Sequence, residues 1–229
     1  MYSKIFPISG ETMKKVIVIF FVFLSFNVHS ADKDYSFTYL DFSVNYNEDV
    51  SYEGELSLNL PSLPIYIKGN LEHEKTEAEN TEFDKDSTTI ALGVHGSVSD
   101  LVSTISAGGI DVNLKQILEL YAELGFNKWE LEDESSNLED GTDAYARAGI
   151  RIGDSTAWEY DLFVEKTKIA SVYIDPETGS TKYSLSDETN NKIGLKAINH
   201  FGENFSFSLG LANDDFSGSS FSIGMRYSF

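Results

Sequence analysis

The sequence predicts an all-β fold, an antiparallel up-and-down transmembrane β-barrel of about ten strands, with eight or twelve also fitting the pattern. Three observations predict it. An export signal stands near the start, period-two alternation of apolar and polar residues runs through the remainder, and long acidic connections alternate with short ones.

From Met13 the chain reads MKKVIVIFFVFLSFNVHSAD. Lys14 and Lys15 form a charged leader, Val16 to Phe26 an apolar run, and the small or neutral residues Val28 and Ser30 flank a cleavage site after Ser30. The run is too short for a membrane-crossing helix, which needs about 20 apolar residues. Residues 1–30 are therefore expected to be a cleaved signal peptide with its true start at Met13, and residues 31–229 the barrel domain. No Cys follows the cleavage site, so no lipid anchor is expected.

Composition agrees with strands. The 229 residues include 16 Phe and 12 Tyr but only 4 Pro, and aromatic side chains favour the pleated surface of a sheet. With no Cys, a disulfide framework, a thiolate nucleophile and a thiolate-held metal are all excluded. A net charge of −20 argues against nucleic acid as a partner, because phosphate recognition needs a basic surface.

The strands follow in order. Leu40, Phe42, Val44 and Tyr46 share one face of the first, and Leu56, Leu58 and Leu60 one face of the second. Ile65, Ile67, Gly69 and Leu71 alternate with Tyr66, Lys68, Asn70 and Glu72. Ile90, Leu92, Val94 and Gly96 alternate with Ala91, Gly93 and His95. Leu118, Leu120, Ala122, Leu124 and Phe126 alternate with Glu119, Tyr121, Glu123, Gly125 and Asn127. Ala146, Ala148, Ile150 and Ile152 alternate with Tyr145, Arg147, Gly149 and Arg151. Trp158, Tyr160, Leu162 and Val164 alternate with Glu159, Asp161, Phe163 and Glu165. Ile193, Leu195 and Ala197 mark the eighth strand, Phe205, Phe207, Leu209 and Leu211 the ninth, and Phe221 to Phe229 the tenth.

Residues 75–87, 131–142 and 169–188 read as long acidic loops on one side, and Pro61–Pro64, Gly153–Ala157 and Phe201–Asn204 as short turns on the other. Outer-membrane barrels are built with that asymmetry. Residues 99–113 are too long for a short turn; a helix, a plug or an extra hairpin all fit.

Alternation alone also suits a soluble sandwich or a secreted lipocalin-like barrel, in which the apolar face turns inward. Two features favour an inverted barrel. Several polar faces are made of small residues (Ser206, Ser208 and Gly210; Ser222, Gly224 and Ser228; Ala91 and Gly93), which suit a crowded lumen. Charges also match between neighbouring strands: Glu119 and Glu123, then Arg147 and Arg151, then Glu159, Asp161 and Glu165. Arginines set between carboxylates form a lumen ion network, since buried ions are tolerated when paired. Aromatics near strand ends (Tyr35, Phe37, Trp129, Trp158, Tyr160, Tyr227, Phe229) are expected in interfacial girdles.

The closing decapeptide SFSIGMRYSF places Phe221, Ile223, Met225, Tyr227 and the terminal Phe229 on one face. It resembles the C-terminal assembly signal of Gram-negative outer-membrane proteins, and the mature chain resembles a small OmpA-like or OmpX-like barrel. The resemblance implies recognition by the barrel-assembly machinery and residence in the outer membrane among lipid and lipopolysaccharide; it carries over no catalytic residue, and a monomer is expected.

For function, a structural or surface-interaction role with acidic outer loops is expected, with a small cation-preferring pore as the alternative and a barrel enzyme as a third class. No catalytic, cofactor-binding or metal residue is assigned. Of the histidines, His95 has inward parity without a positioned partner, and His200 falls in a turn. Asp214 and Asp215 lack the Asp–His pair that accompanies the paired acids they resemble. Glu77, Glu79 and Glu82 lack the spacing of an ordered calcium loop and read as a solvated acidic surface.

Overall fold

The computed structural model describes residues 36–47, 50–78, 81–98, 104–107, 110–113, 118–133, 138–153, 157–174, 181–215 and 218–229. The expected signal peptide and Tyr35 lie outside them. Twelve strands are formed: β1 (Tyr39–Tyr46), β2 (Val50–Asn59), β3 (Ile65–Ala78), β4 (Thr81–Ser97), β5 (Thr104–Ala107), β6 (Ile110–Asn113), β7 (Leu118–Asp133), β8 (Leu138–Gly153), β9 (Trp158–Ile174), β10 (Thr181–His200), β11 (Phe205–Asp214) and β12 (Gly218–Ser228).

Ten of them close an antiparallel barrel in the order β1-β12-β11-β10-β9-β8-β7-β4-β3-β2. The seam is the pairing of the first and last strands, from Tyr39 opposite Ser228 to Tyr46 opposite Phe221. Closure leaves no free edge, which is how a sheet with an apolar exterior avoids edge-to-edge aggregation. Segment 99–113 contributes an extra hairpin, β5–β6, but as a separate two-stranded sheet, so the barrel keeps ten strands and does not grow to twelve.

The acidic segments expected as loops are largely strand. β3 and β4 stay paired out to Ala78 opposite Thr81, β7 and β8 to Glu132 opposite Leu138, and β9 and β10 to Ile174 opposite Thr181. Backbone pairing continues past the end of the apolar pattern because antiparallel hydrogen bonds require no apolar face. The result is three tall polar hairpins at one end of the barrel. At the other end β2–β3, β8–β9 and β10–β11 are joined by short turns.

The inside and outside are inverted relative to a soluble sandwich. Outward positions carry Leu124 at 69 %, Phe126 at 67 %, Ile90 at 63 % and Leu211 at 62 % exposure. A water-soluble fold does not leave so continuous an apolar surface uncovered. Inward positions hold Asp41, Lys68, Glu123, Arg151, Glu159 and Arg226, all buried, among Ser206, Ser208 and Ala91. From Leu118 to Phe126 the apolar stripe of β7 rises about 27 Å along the strand, and so about 20 Å along the axis at a tilt near 40°.

The aromatic girdles need one correction. Trp158 stacks with Tyr160 at 6.3 Å and Phe205 lies 5.0 Å from Tyr227 at the short-turn rim, while Tyr46 meets Phe221 at 6.5 Å at the opposite rim. Phe37 and Trp129, however, point inward and are 4 % and 3 % exposed. Trp129 has inward parity on β7, and Phe37, just before β1, continues the inward alternation of Tyr39 and Asp41, so parity outweighs nearness to a strand end.

Candidate functional site

The lumen is the candidate site, and small residues make room for its contents. A Cβ at Gly93 would overlap the Tyr66 ring, one at Gly149 the Tyr121 ring, one at Gly194 the Phe163 ring and one at Gly141 the Trp129 ring. Each ring lies over the glycine opposite it on the neighbouring strand. The small-residue stripes thus act as seats for large side chains that arch across the interior.

Phe37, just before β1, is the centre of an aromatic plug. Its ring stacks on His95 at 4.1 Å and lies 4.7 Å from Tyr66 and 6.3 Å from Tyr121, with Phe163 packed alongside. The Arg151 guanidinium sits 4.6 Å above it, a cation–π contact. Ser57 Oγ donates to the Phe37 carbonyl at 2.6 Å and Arg151 Nη1 to the Ser36 carbonyl at 3.1 Å, which tie the segment into the barrel.

All seven residues expected in the ion network face this interior, but their partners differ from the simple ladder. Arg147 pairs with Asp161 at 3.1 Å and Glu165 at 3.6 Å, and Arg151 with Glu159 at 2.6 Å. Glu123 turns away from Arg147 to Lys68 at 2.9 Å, and Glu119 meets His95 Nδ1 at 2.6 Å. Lys68 reaches two strands across because Ala91 and Gly125, in the same row, leave its path clear. It also pairs with Glu55 at 3.1 Å, while the Tyr66 and Tyr145 hydroxyls donate to Glu123 at 2.8 and 2.9 Å.

A second cluster spans the seam. Arg226 Nε donates to Asp41 at 2.9 Å, Lys196 approaches the same oxygen at 3.0 Å, and the Arg226 guanidinium lies 3.8 Å over the Tyr39 ring. Inward parity marks each of these residues, but parity does not say which charges meet across the lumen.

His95 is a satisfied histidine with inward parity, while His200, expected in a turn, ends a strand. His95 is held between Glu119 and Asn59 Oδ1 and stacked on Phe37, so it does have a positioned partner. His200 ends β10 with its ring inside the lumen, Nε2 3.2 Å from Glu159 and Nδ1 2.8 Å from Ser206 Oγ. Serine, histidine and carboxylate in one chain have the composition of a hydrolytic triad. Ser206 is 1 % exposed and Glu159 is already claimed by Arg151, so no substrate reaches the hydroxyl and the group holds the floor together.

Above the plug the lumen widens into a cavity of 310 Å³. Its walls run from Asn47, Glu74, Lys85, Asn190 and Asp214 near the tall hairpins down to Phe37, Arg151 and Arg226. Deeper residues, His95, Glu119, Glu159, His200 and Ser206, do not line it. Between the cavity and the short turns the lumen holds aromatic rings and ion pairs.

No protein-family model matches the sequence, and no curated protein does. Solved structures similar to the chain include a KdgM porin in complex with disordered oligogalacturonate, with 7 % identity, a TM-score of 0.44, and 84 % of this chain and 99 % of that one covered. The Neisserial surface protein A matches with 8 % identity, a TM-score of 0.41, and coverage of 83 % and 94 %. The N-terminal β-barrel domain of Pseudomonas aeruginosa OprF matches with 12 % identity, a TM-score of 0.36, and coverage of 83 % and 96 %.

Beyond the apolar band the outer surface turns polar. His73 on β3 meets Asp86 on β4 at 2.7 Å, and the hydrogen bond to that carboxylate raises the imidazole above its usual range. Phe126 is followed outward by Lys128, which pairs with Glu130 at 2.6 Å. Among the described residues no group of acids and histidines forms a metal site. The side chains of Glu77, Glu79 and Glu82 lie outside the described residues.

Proposed function

We propose that the chain is a monomeric integral outer-membrane protein of a Gram-negative cell, non-enzymatic and non-conducting, that presents acidic hairpins and a blind polar cup at the cell surface. The short-turn end, with both barrel termini, faces the periplasm. The tall hairpins extend among lipopolysaccharide, and the closing strand serves the assembly machinery. The expected export signal, the apolar exterior and the resemblance of Phe221 to Phe229 to an assembly signal support this location.

The observation that carries the role is the sealed floor. An ion entering from the hairpin side meets the Phe37, Tyr66 and Tyr121 rings and, beside them, the paired charges Arg151–Glu159 and Arg226–Asp41. Small barrels have interiors that side chains fill, and the aromatic and ion-paired layer around Phe37 supports that reading here. A pore reading needs an opening at this level.

Heat-modifiable gel mobility of the outer-membrane fraction tests the location and the barrel together. Planar-bilayer recordings test the seal. The folded protein is expected to give no discrete conductance steps; reproducible steps overturn the sealed-cup reading in favour of the cation-preferring pore.

A further inference from the structure

The cup above the floor has an unusual distribution of partners. Seven cationic side chains line it, and six of them form ion pairs: Lys68, Lys85, Arg147, Arg151, Lys196 and Arg226. Lys192 forms none with a described residue. On the carboxylate side Glu53 and Glu72 also form no ion pair with a described residue, Lys85 acting on Glu72 without touching it. They are direct register partners on β2 and β3 and are held only by neutral donors. Asn45, Ser43 and Asn70 serve Glu53, while Ser51 and Ser87 serve Glu72. Like charges placed opposite each other across a strand pair are destabilising unless something offsets them.

Position makes these groups complementary. β10 and β3 stand five places apart in the ring of ten whichever way it is counted, so Lys192 and Glu72 face each other across the lumen. Each lies in the other's electrostatic field, and Glu53 acts on both, although Glu165, the register partner of Lys192 on β9, acts on the lysine more strongly and Lys85 more strongly on Glu72. The wall between holds Asn127, whose buried Oδ1 accepts no hydrogen bond. A buried acceptor without a donor is rare in a folded protein and calls for one.

We infer that the cup binds a small zwitterion, a molecule with a primary ammonium at one end and a carboxylate at the other. The ammonium sits between Glu53 and Glu72, the carboxylate meets Lys192, and Asn127, whose Oδ1 is closed off in the free cup, turns to a donor on the connecting chain. Lys192 and Glu72 form no ion pair with each other, so the two charged ends of the ligand need a spacer between them. The inference rests on the cup being reached from the hairpin end, as proposed above.

The test is calorimetric titration of the full mature protein, folded in detergent micelles, with glycine, β-alanine, γ-aminobutyrate and ε-aminocaproate. Butylamine and butyrate serve as single-charge probes. Saturable binding is expected to peak at one of the longer zwitterions. Lys192→Gln and Glu72→Gln are each expected to lower its affinity by roughly ten- to a hundredfold, the worth of one charge-assisted hydrogen bond. Heat-modifiable mobility confirms that each variant is folded, and Glu53→Gln substitutes for one that is not. Absence of saturable binding by every zwitterion, binding of butylamine or butyrate as tight as that of the zwitterion, or binding unchanged in folded variants overturns the inference. Discrete conductance or a periplasmic location overturns the proposed function instead, and those results are read in separate measurements.

Discussion

Lys68 is the side chain whose loss tests the lumen most directly. It is 2 % exposed and its ammonium is shared by Glu55 at 3.1 Å and Glu123 at 2.9 Å, both buried. Lys68→Met keeps the length of the stem but leaves two carboxylates facing each other with the nearest counter-charge gone. Removing one partner of a buried ion pair costs about 3–5 kcal/mol. The cup lies directly above, so solvent offsets part of this and the lower end, about 3 kcal/mol, is expected. With a urea dependence of about 2 kcal/mol per molar, the unfolding midpoint drops by roughly 1.5 M. The assay is urea unfolding in micelles, followed by tryptophan fluorescence and gel mobility. Adding Glu55→Gln and Glu123→Gln to the same chain removes the stranded charge and is expected to restore more than half of the loss. A midpoint within about 0.3 M of wild type for Lys68→Met, or a triple variant less stable than the single one, refutes the reasoning.

Gly149→Val forces a side chain into the Tyr121 ring and is expected to abolish the heat-modifiable form; Gly69→Ala, whose Cβ meets nothing within 4 Å, is expected to leave it intact. Deletion of Phe229, or Tyr227→Ala, is expected to lower the amount of assembled protein in the outer membrane several-fold without changing export, as read by membrane fractionation and blotting. In an NMR titration His73 is expected to titrate above the ordinary histidine value of about 6.5 and to return toward it in Asp86→Asn. Because its folded value is raised, the pair's contribution is fully present below the unfolded value and is lost as pH rises through the folded one. Both side chains are partly exposed, so the effect on stability stays under about 1 kcal/mol.

The barrel was legible in the alternation because one physical requirement, apolar outside and polar inside, acts at every second residue. The strand count, the seam between Tyr39–Tyr46 and the last strand, and the inward faces of the seven network charges all follow from it. What parity cannot supply is distance around and across the lumen. Glu123 and Arg147 are register partners, yet Glu123 pairs with Lys68, because Ala91 and Gly125 happen to be small. Phe37 and Trp129 were placed by their nearness to strand ends, where parity would have turned them inward. The tall hairpins were misjudged for a different reason: their polar sequence describes their solvent, while their conformation is set by backbone pairing with a neighbour.

The Asp41–Arg226 contact joins residues 185 positions apart, one on the first strand and one on the last. It cannot exist until the final strand has docked. Before that moment the Asp41 carboxylate is apart from both its cations, Arg226 on β12 and Lys196 on β10, because the ring runs from β1 through β12 and β11 to β10. Closure therefore brings the carboxylate and its cations together in a single late step. A chain that stalls one strand short keeps Asp41 unpaired and a row of open backbone groups along its free edge, and remains unsuited to hydrocarbon. The seam thus works as a checkpoint in time as well as a join in space, separating finished barrels from unfinished ones by their own electrostatics.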